Sequence, residues 1–112
     1  MSEDPKSKFL WQLKACQLPM PVSEYRFHPV RKFRFDWAWP SDIFRFAVEY
    51  DGGFGRYGKA RSGHRTKAGI MRDIEKINLA QLMGWRVFRI TAPMVRSGEA
   101  VTLIEKAIRR EV

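Results

Sequence analysis

Two consecutive runs of alternating aromatic and polar residues constrain the fold of this chain more than any other feature. The first, RKFRFDWAW, covers residues 31–39, and the second, IFRFAVEYD, covers residues 43–51. Side chains in a β-strand point alternately to opposite faces, so each run predicts a strand with one apolar face. The intervening PSD at residues 40–42 is typical of a turn. The two strands are therefore expected to form a hairpin.

Alternation also predicts which side chains share a face. The expected apolar face consists of Phe33, Phe35, Trp37 and Trp39 in the first strand and Phe44, Phe46, Val48 and Tyr50 in the second. The opposite face carries the charged and small residues: Arg34, Asp36 and Ala38, then Arg45, Ala47, Glu49 and Asp51.

The remaining segments predict a mixed α/β fold with the order α-β-β-β-α-β-α. A helix between the third and fourth strands makes a crossover, so those two strands should be parallel, whereas short turns make the first three antiparallel. The expected result is a four-stranded sheet flanked by helices. The other predicted elements are helices at 7–18, 70–83 and 97–112 and strands at 24–29 and 85–91.

Composition limits the class of protein. A length of 112 residues is enough for one domain, residues 1–112, with one modest core. The net charge of +9 indicates a nucleic acid, an anionic membrane or an acidic protein as partner, or else a merely soluble basic protein. The single cysteine, Cys16, excludes an internal disulfide and a thiolate zinc cluster. No apolar run is long enough to span a membrane and no signal peptide is present, so a cytoplasmic protein is expected.

A hairpin register in which position numbers sum to 85 brings carboxylates together. It sets Asp36 opposite Glu49, with Cβ atoms about 4.5–5.5 Å apart, and Asp51 follows on the same face. Carboxylates this close repel one another unless a cation neutralises them, and all-oxygen ligands suit Mg²⁺ or Mn²⁺. The alternative is a solvated face on which Asp36 and Glu49 pair with Arg34 and Arg45.

Four sequence blocks, taken in order, resemble a known family. They are EYRFHPVRKFRFDWAWP, AVEYDGG, GRYGKARSGHRTKAG and DIEKINLAQLMGWRVFRIT, and the resemblance extends from about Lys8 to Thr91. The chain resembles the PD-(D/E)XK, or restriction-endonuclease-like, superfamily. More narrowly, it is similar to small phage-encoded endonuclease-domain proteins related to the Vsr-like branch. The resemblance implies metal-dependent hydrolysis of DNA phosphodiesters, for example in phage DNA repair or recombination.

The resemblance also implies roles for individual residues. Asp36 and Glu49 match the superfamily's metal-binding positions, and Glu24, at the start of the first strand, is a further candidate ligand or a surface ion-pair partner. Where the superfamily has a lysine, two residues after the glutamate, this chain has Asp51. Relatives move that lysine to the following helix, where Lys76 is the candidate. Because the helical wheel turns Lys76 away from the apolar arc, we expect Asp51 to be a third ligand and Lys76 to have a supporting role.

A glycine-rich basic stretch at residues 52–69 is expected to be a mobile loop that captures the DNA backbone. A lone loop histidine such as His64 is either a phosphate contact or simply solvated, and a charged run is often only a solvated loop. The DNA-binding candidates are Arg56, Lys59, Arg61, His64, Arg65 and Lys67.

The helix predicted at 70–83 has an apolar arc formed by Ile70, Met71, Ile74, Ile77 and Leu82. Asn78 and Gln81 lie inside this arc and Asp73 lies at its edge, so these three are expected to hydrogen-bond near the carboxylates or to backbone groups. Four further residues are expected in the core or in interface packing: Phe9, Trp11, Leu13 and Trp85.

The sequence thus favours a Mg²⁺- or Mn²⁺-dependent deoxyribonuclease acting on DNA. One alternative is a non-catalytic DNA-binding module on a degenerate nuclease fold. Another is an HNH-type nuclease built on His28 or His64, which lacks a second metal ligand at close spacing. Nucleases of this fold often dimerise to cut two strands, and the sequence leaves a homodimer open.

Overall fold

The computed structural model describes residues 4–41, 45–52 and 66–110. Within these ranges the chain forms four helices and four strands. In chain order the elements are α1 (Pro5–Ala15), β1 (Val22–Arg26), β2 (Arg34–Trp39), β3 (Phe46–Tyr50), α2 (Lys67–Leu82), β4 (Arg86–Ile90), α3 (Ala92–Ser97) and α4 (Glu99–Arg109).

The four strands form one mixed sheet in the order β1-β2-β3-β4. β2 is antiparallel to both β1 and β3, while β4 runs parallel to β3 because α2 carries the chain back across the sheet. The predicted mixed α/β architecture is therefore confirmed. No described helix is long and apolar enough to cross a membrane.

Helices cover both faces of the sheet. On one face α1, α3 and α4 pack on side chains from β2, β3 and β4, with Phe9, Leu13 and Ile104 fully buried. On the other face α2 packs with Ala80 on a smaller cluster that includes Trp85. Ala38 and Ala47 form the centre of the sheet on the α2 side. These small side chains allow α2 to approach the strands closely.

The C-terminal part of the chain contains one helix more than predicted. Thr91, expected at the end of a strand, is the N-cap of α3 and accepts a hydrogen bond from Met94 N. Pro93 lies in the first turn, where proline is tolerated because no intrahelical donor is needed. Gly98, with φ of +87°, ends α3 and begins α4. The helix predicted over 97–112 is observed as α4, Glu99–Arg109, whereas α3 was not predicted.

The strict alternation predicted for β2 was also wrong. Trp37 and Trp39 face α1 and α4, but Phe35 lies on the opposite face, stacked on Phe27 with ring centroids 4.2 Å apart. The change of face occurs around Asp36. The neighbouring register aligns Asp36 with Glu24 of β1, whose φ of +52° breaks the regular strand geometry there.

α2 presents a different face to the sheet from the one predicted. Ile70, Met71, Ile74 and Leu82 of the predicted apolar arc are exposed, and Ala80 is buried instead. The face of α2 that meets the sheet contains Asp73 and Lys76 as well as Ala80. A prediction from hydrophobicity alone therefore selected the wrong face. The helix also begins at Lys67, within the stretch expected to be loop, and Thr66 caps it by accepting from Gly69 N at 3.0 Å.

The predictions for the aromatic core were mostly right. Phe9, Leu13 and Trp85 are buried, but Trp11 is 54% exposed. Phe9 and Leu13 are four residues apart and share one face of α1, whereas Trp11 lies midway between them and points to the other side of the helix.

Candidate active site

Asp36 and Glu49 meet where β2 and β3 leave their regular pairing. Ala38 pairs with Ala47 and Trp37 with Val48, so the predicted register is confirmed. Beyond Trp37, side chains connect the two strands. Asp36 N donates to Glu49 Oε1 at 3.0 Å, and Tyr50 N donates to Asp36 Oδ2 at 2.7 Å. Each carboxylate is thereby held in orientation by a backbone amide, with one oxygen engaged.

Lys76 of α2 reaches the same point and forms an ion pair with Glu49 Oε2. The Lys76 and Glu49 side chains are only 12% and 13% exposed. The Lys76 ammonium also lies 5.7 Å from the ring centroid of Phe35. The helical wheel turned Lys76 away from the apolar arc expected to face the sheet; Lys76 nevertheless reaches Glu49, because α2 is rotated relative to the predicted wheel.

The pKa of Glu49 is raised above its ordinary value. Burial raises the pKa of Glu49, and the hydrogen bond and charge of Lys76 together with the Asp36 amide offset only part of that effect. The nearby Asp36 carboxylate raises the pKa of Glu49 further. A second positive charge near Glu49, such as a bound cation, would be stabilised there.

Asp51 faces a different cation. Its Oδ2 accepts from Arg89 Nε at 2.9 Å and its Oδ1 accepts from a terminal nitrogen of Arg89 at 3.3 Å. The same terminal nitrogen lies 3.4 Å from Asp73 Oδ2 on α2. Hydrogen bonding to Asp51 raises the pKa of Arg89. Arg89 pairs in register with Glu49, so this network lies beside the Asp36–Glu49 pair.

Sequence reasoning missed Arg89. The signal was nevertheless available, because β4 was predicted to be parallel to β3 and its alternation pairs Arg89 with the strand end that carries Glu49 and Asp51. A register for β4 would have identified it.

The other predicted site residues lie further from this centre. Glu24 is exposed on the outer strand β1, at the level of Asp36. Asn78 and Gln81, which lie inside the predicted apolar arc, are exposed, so the burial that this arc predicted was wrong. Their hydrogen bonds near the carboxylates stay a prediction. Lys67 is exposed in the first turn of α2. The loop candidates Arg56, Lys59, Arg61, His64 and Arg65 lie outside the described residues.

His28 has a structural role in the turn after β1. Its Nδ1 accepts from Arg31 N at 2.9 Å and from Val30 N at 3.1 Å. These bonds shape the turn that carries Arg31 to its ion pair with Glu75 on α2. The contacts give no support to an HNH-type site at His28.

The described residues hold no cluster of three or more His, Cys, Asp and Glu side chains placed to bind a metal ion. Asp36 and Glu49 supply two carboxylates, of which that of Glu49 is largely buried. This donor chemistry fits a hard divalent ion such as Mg²⁺ or Mn²⁺.

Comparison with protein-family models and with curated protein sequences gives no match. Among solved structures, the chain is similar to the catalytic domain of the homing endonuclease I-Bth0305I, with a TM-score of 0.62 and 16% sequence identity. The similarity covers 95% of this chain and 94% of that domain. The two proteins therefore share a fold.

Proposed function

We propose that this protein is a metal-dependent DNA endonuclease that hydrolyses phosphodiester bonds. The observation that carries the proposal is the largely buried Lys76–Glu49 pair beside Asp36. Removing the two charges of such a pair from water costs free energy, so the pair is not explained by stability alone. Carboxylates with shifted pKa values are candidates for catalysis. The fold shared with a homing endonuclease catalytic domain supports the same class of reaction.

Asp36 and Glu49 would hold the ion, Mg²⁺ or Mn²⁺, through their carboxylate oxygens. When bound, such an ion lowers the pKa of a coordinated water and stabilises negative charge on phosphate oxygens. The backbone amides of Asp36 and Tyr50 fix the two carboxylates in advance, so ion binding requires little rearrangement of either side chain.

Lys76 is proposed as the lysine that the PD-(D/E)XK pattern has two residues after the glutamate. Its ammonium lies against Glu49, where it can orient a water by hydrogen bonding and stabilise developing negative charge. This contact favours Lys76 over Asp51 for the role. Asp51, bound on both oxygens by Arg89, is better suited to hold Arg89 and α2 in position, and its predicted role as a third ligand stays a prediction.

The substrate is proposed to be DNA because the chain carries a net charge of +9. Arg56, Lys59, Arg61, Arg65 and Lys67 would supply contacts to the phosphate backbone. The phage setting and a homodimer remain proposals that follow from the sequence resemblance.

Plasmid nicking in Mg²⁺, Mn²⁺ or EDTA tests the proposed function. We expect cleavage with either ion, none in EDTA, and at least a hundredfold loss in Asp36→Asn, Glu49→Gln and Lys76→Ala. Glu75→Gln is the matched control, since Glu75 lies on the same helix in an exposed ion pair and should retain full activity. DNA binding without metal-dependent cleavage would instead support a DNA-binding module.

A further inference from the structure

A groove of about 320 Å³ runs between α2 and β4, and the function proposed above makes no use of it. Its volume is near the lower end of the range of about 300–1,000 Å³ usual for small-ligand sites. Among the described residues, six line it: Ile70, Asp73, Ile74, Ile77 and Asn78 of α2, and Arg89 of β4.

One wall of the groove is apolar and accessible. Ile70 and Ile74 are 42% and 49% exposed, and Ile77 is half-buried behind them. Their spacing puts the three side chains on one side of α2. Exposed aliphatic side chains that line a groove, as opposed to being scattered singly, are typical of a binding surface.

The rest of the groove is polar and leads to the candidate active site. The Arg89 guanidinium is partly exposed while it holds Asp51, and Asp73 lies 3.4 Å from it. Arg89 is also the register neighbour of Glu49. A ligand in the groove would therefore lie beside Glu49 and the proposed metal site. Asn78 adds an amide with both a donor and an acceptor.

We propose that this groove receives a nucleobase of the DNA strand next to the cleaved phosphate. A base has flat apolar faces, which would pack on Ile70 and Ile74, and edges with donors and acceptors, which would meet Asn78 and Asp73. The net charge of +9 suits the attached phosphate, while Arg89 stays paired with Asp51 and Asp73. The inference rests on the proposed function, since it takes DNA as the ligand.

The test uses 20-nucleotide single strands and duplexes that carry 2-aminopurine at successive positions, with Ca²⁺ or EDTA and with intact DNA verified on a gel. The fluorescence of 2-aminopurine rises when the base leaves the stack. We expect a severalfold rise at one or two positions with the wild-type protein. Ile74→Ala should remove most of that rise and weaken DNA affinity about fivefold, because it deletes aliphatic surface that covers the base.

Met71→Ala is the matched control. Met71 is 59% exposed on the same helix, and the groove-lining side chains of the described chain do not include it. We expect this variant to retain the wild-type fluorescence change and affinity. Both substitutions are at exposed positions, so both variants should fold.

The outcomes separate this inference from the proposed function. DNA binding by anisotropy without any base-specific fluorescence change would overturn the groove inference alone. Equal losses in Ile74→Ala and Met71→Ala would also overturn it, as would a wild-type dimer in sedimentation that Ile74→Ala dissociates, because a second copy would then cover this face. A wild-type protein that neither binds nor cleaves DNA would overturn the proposed function itself.

Discussion

Replacing Lys76 with methionine should destabilise the metal-free protein strongly at neutral pH. The variant keeps the aliphatic stem and removes the charge, so Glu49 stays buried without its cation. Removing one partner of a buried ion pair typically costs about 3–5 kcal/mol. The hydrogen bond from Asp36 N to Glu49 remains and offsets part of this loss. We therefore expect a decrease of about 3 kcal/mol in the free energy of unfolding.

The pH dependence identifies the cause of this loss. Burial raises the pKa of Glu49 above its ordinary value of 4.5, so the charge on this carboxylate opposes folding above that pH and has no such effect below it. Without Lys76 the pKa of Glu49 rises further. The destabilisation in Lys76→Met should therefore shrink steadily as the pH falls from 8 to 5 and Glu49 becomes protonated.

Urea denaturation across this pH range measures both effects. With an m-value of about 2 kcal/mol per molar, the midpoint of Lys76→Met should lie roughly 1.5 M below that of the wild type at pH 7.5. The double variant Glu49→Gln/Lys76→Met removes both charges and should recover most of the stability. Glu75→Gln, which breaks the exposed pair with Arg31, should leave the midpoint unchanged.

Three results would show that Lys76 does not compensate the charge of Glu49 in the folded protein. The first is a midpoint in Lys76→Met within 0.3 M of the wild type, roughly what an exposed ion pair gives. The second is a loss that stays the same from pH 8 to pH 5. The third is a double variant as unstable as Lys76→Met, which would mean that Glu49 is not the group left uncompensated.

Three further predictions concern the cations and the metal. Arg89→Gln should reduce cleavage at least tenfold by releasing Asp51, whereas Arg89→Lys should restore part of it; equal activity in both variants would contradict a positioning role. Mg²⁺ or Mn²⁺ should raise the melting temperature of the wild type but not of Asp36→Asn. An equal rise in both proteins would mean that the ion binds at another site. Removing four cations of the glycine-rich stretch should flatten the plot of log affinity against log salt by roughly 0.9 per lost phosphate contact, whereas Lys14→Ala on α1 should not change it. The four substitutions are Arg56→Ala, Lys59→Ala, Arg61→Ala and Arg65→Ala.

The topology and the central register could be predicted from the sequence because both follow from local patterns. A short turn between two alternating runs forces an antiparallel hairpin, and a helical crossover forces a parallel strand. The position of the turn, near Asp42, then sets the register that aligns Asp36 with Glu49. The irregularity at Glu24 and Asp36 carries no such local signal, so the side of the sheet on which Phe35 lies could not be predicted.

The orientation of α2 could not be predicted because its contacts with the sheet are polar in its N-terminal half. A helical wheel assigns the most apolar arc to the core, which here selected Ile70 and Ile74. In the structure, Lys76 and Asp73 face the strands through ion pairs with Glu49 and Arg89, and the isoleucines are left exposed. The rule fails at this helix because a buried ion pair takes the place of an apolar contact.

A crystal soaked in Mn²⁺ tests whether Asp36 and Glu49 bind a metal ion, since anomalous scattering locates the ion without reference to activity. We expect an anomalous peak within coordination distance of carboxylate oxygens of both Asp36 and Glu49, with the Lys76 ammonium nearby, and no such peak in Asp36→Asn. A peak bound by Asp51 and Asp73 alone, or no peak near Glu49 in a crystal that binds Mn²⁺ elsewhere, would contradict it.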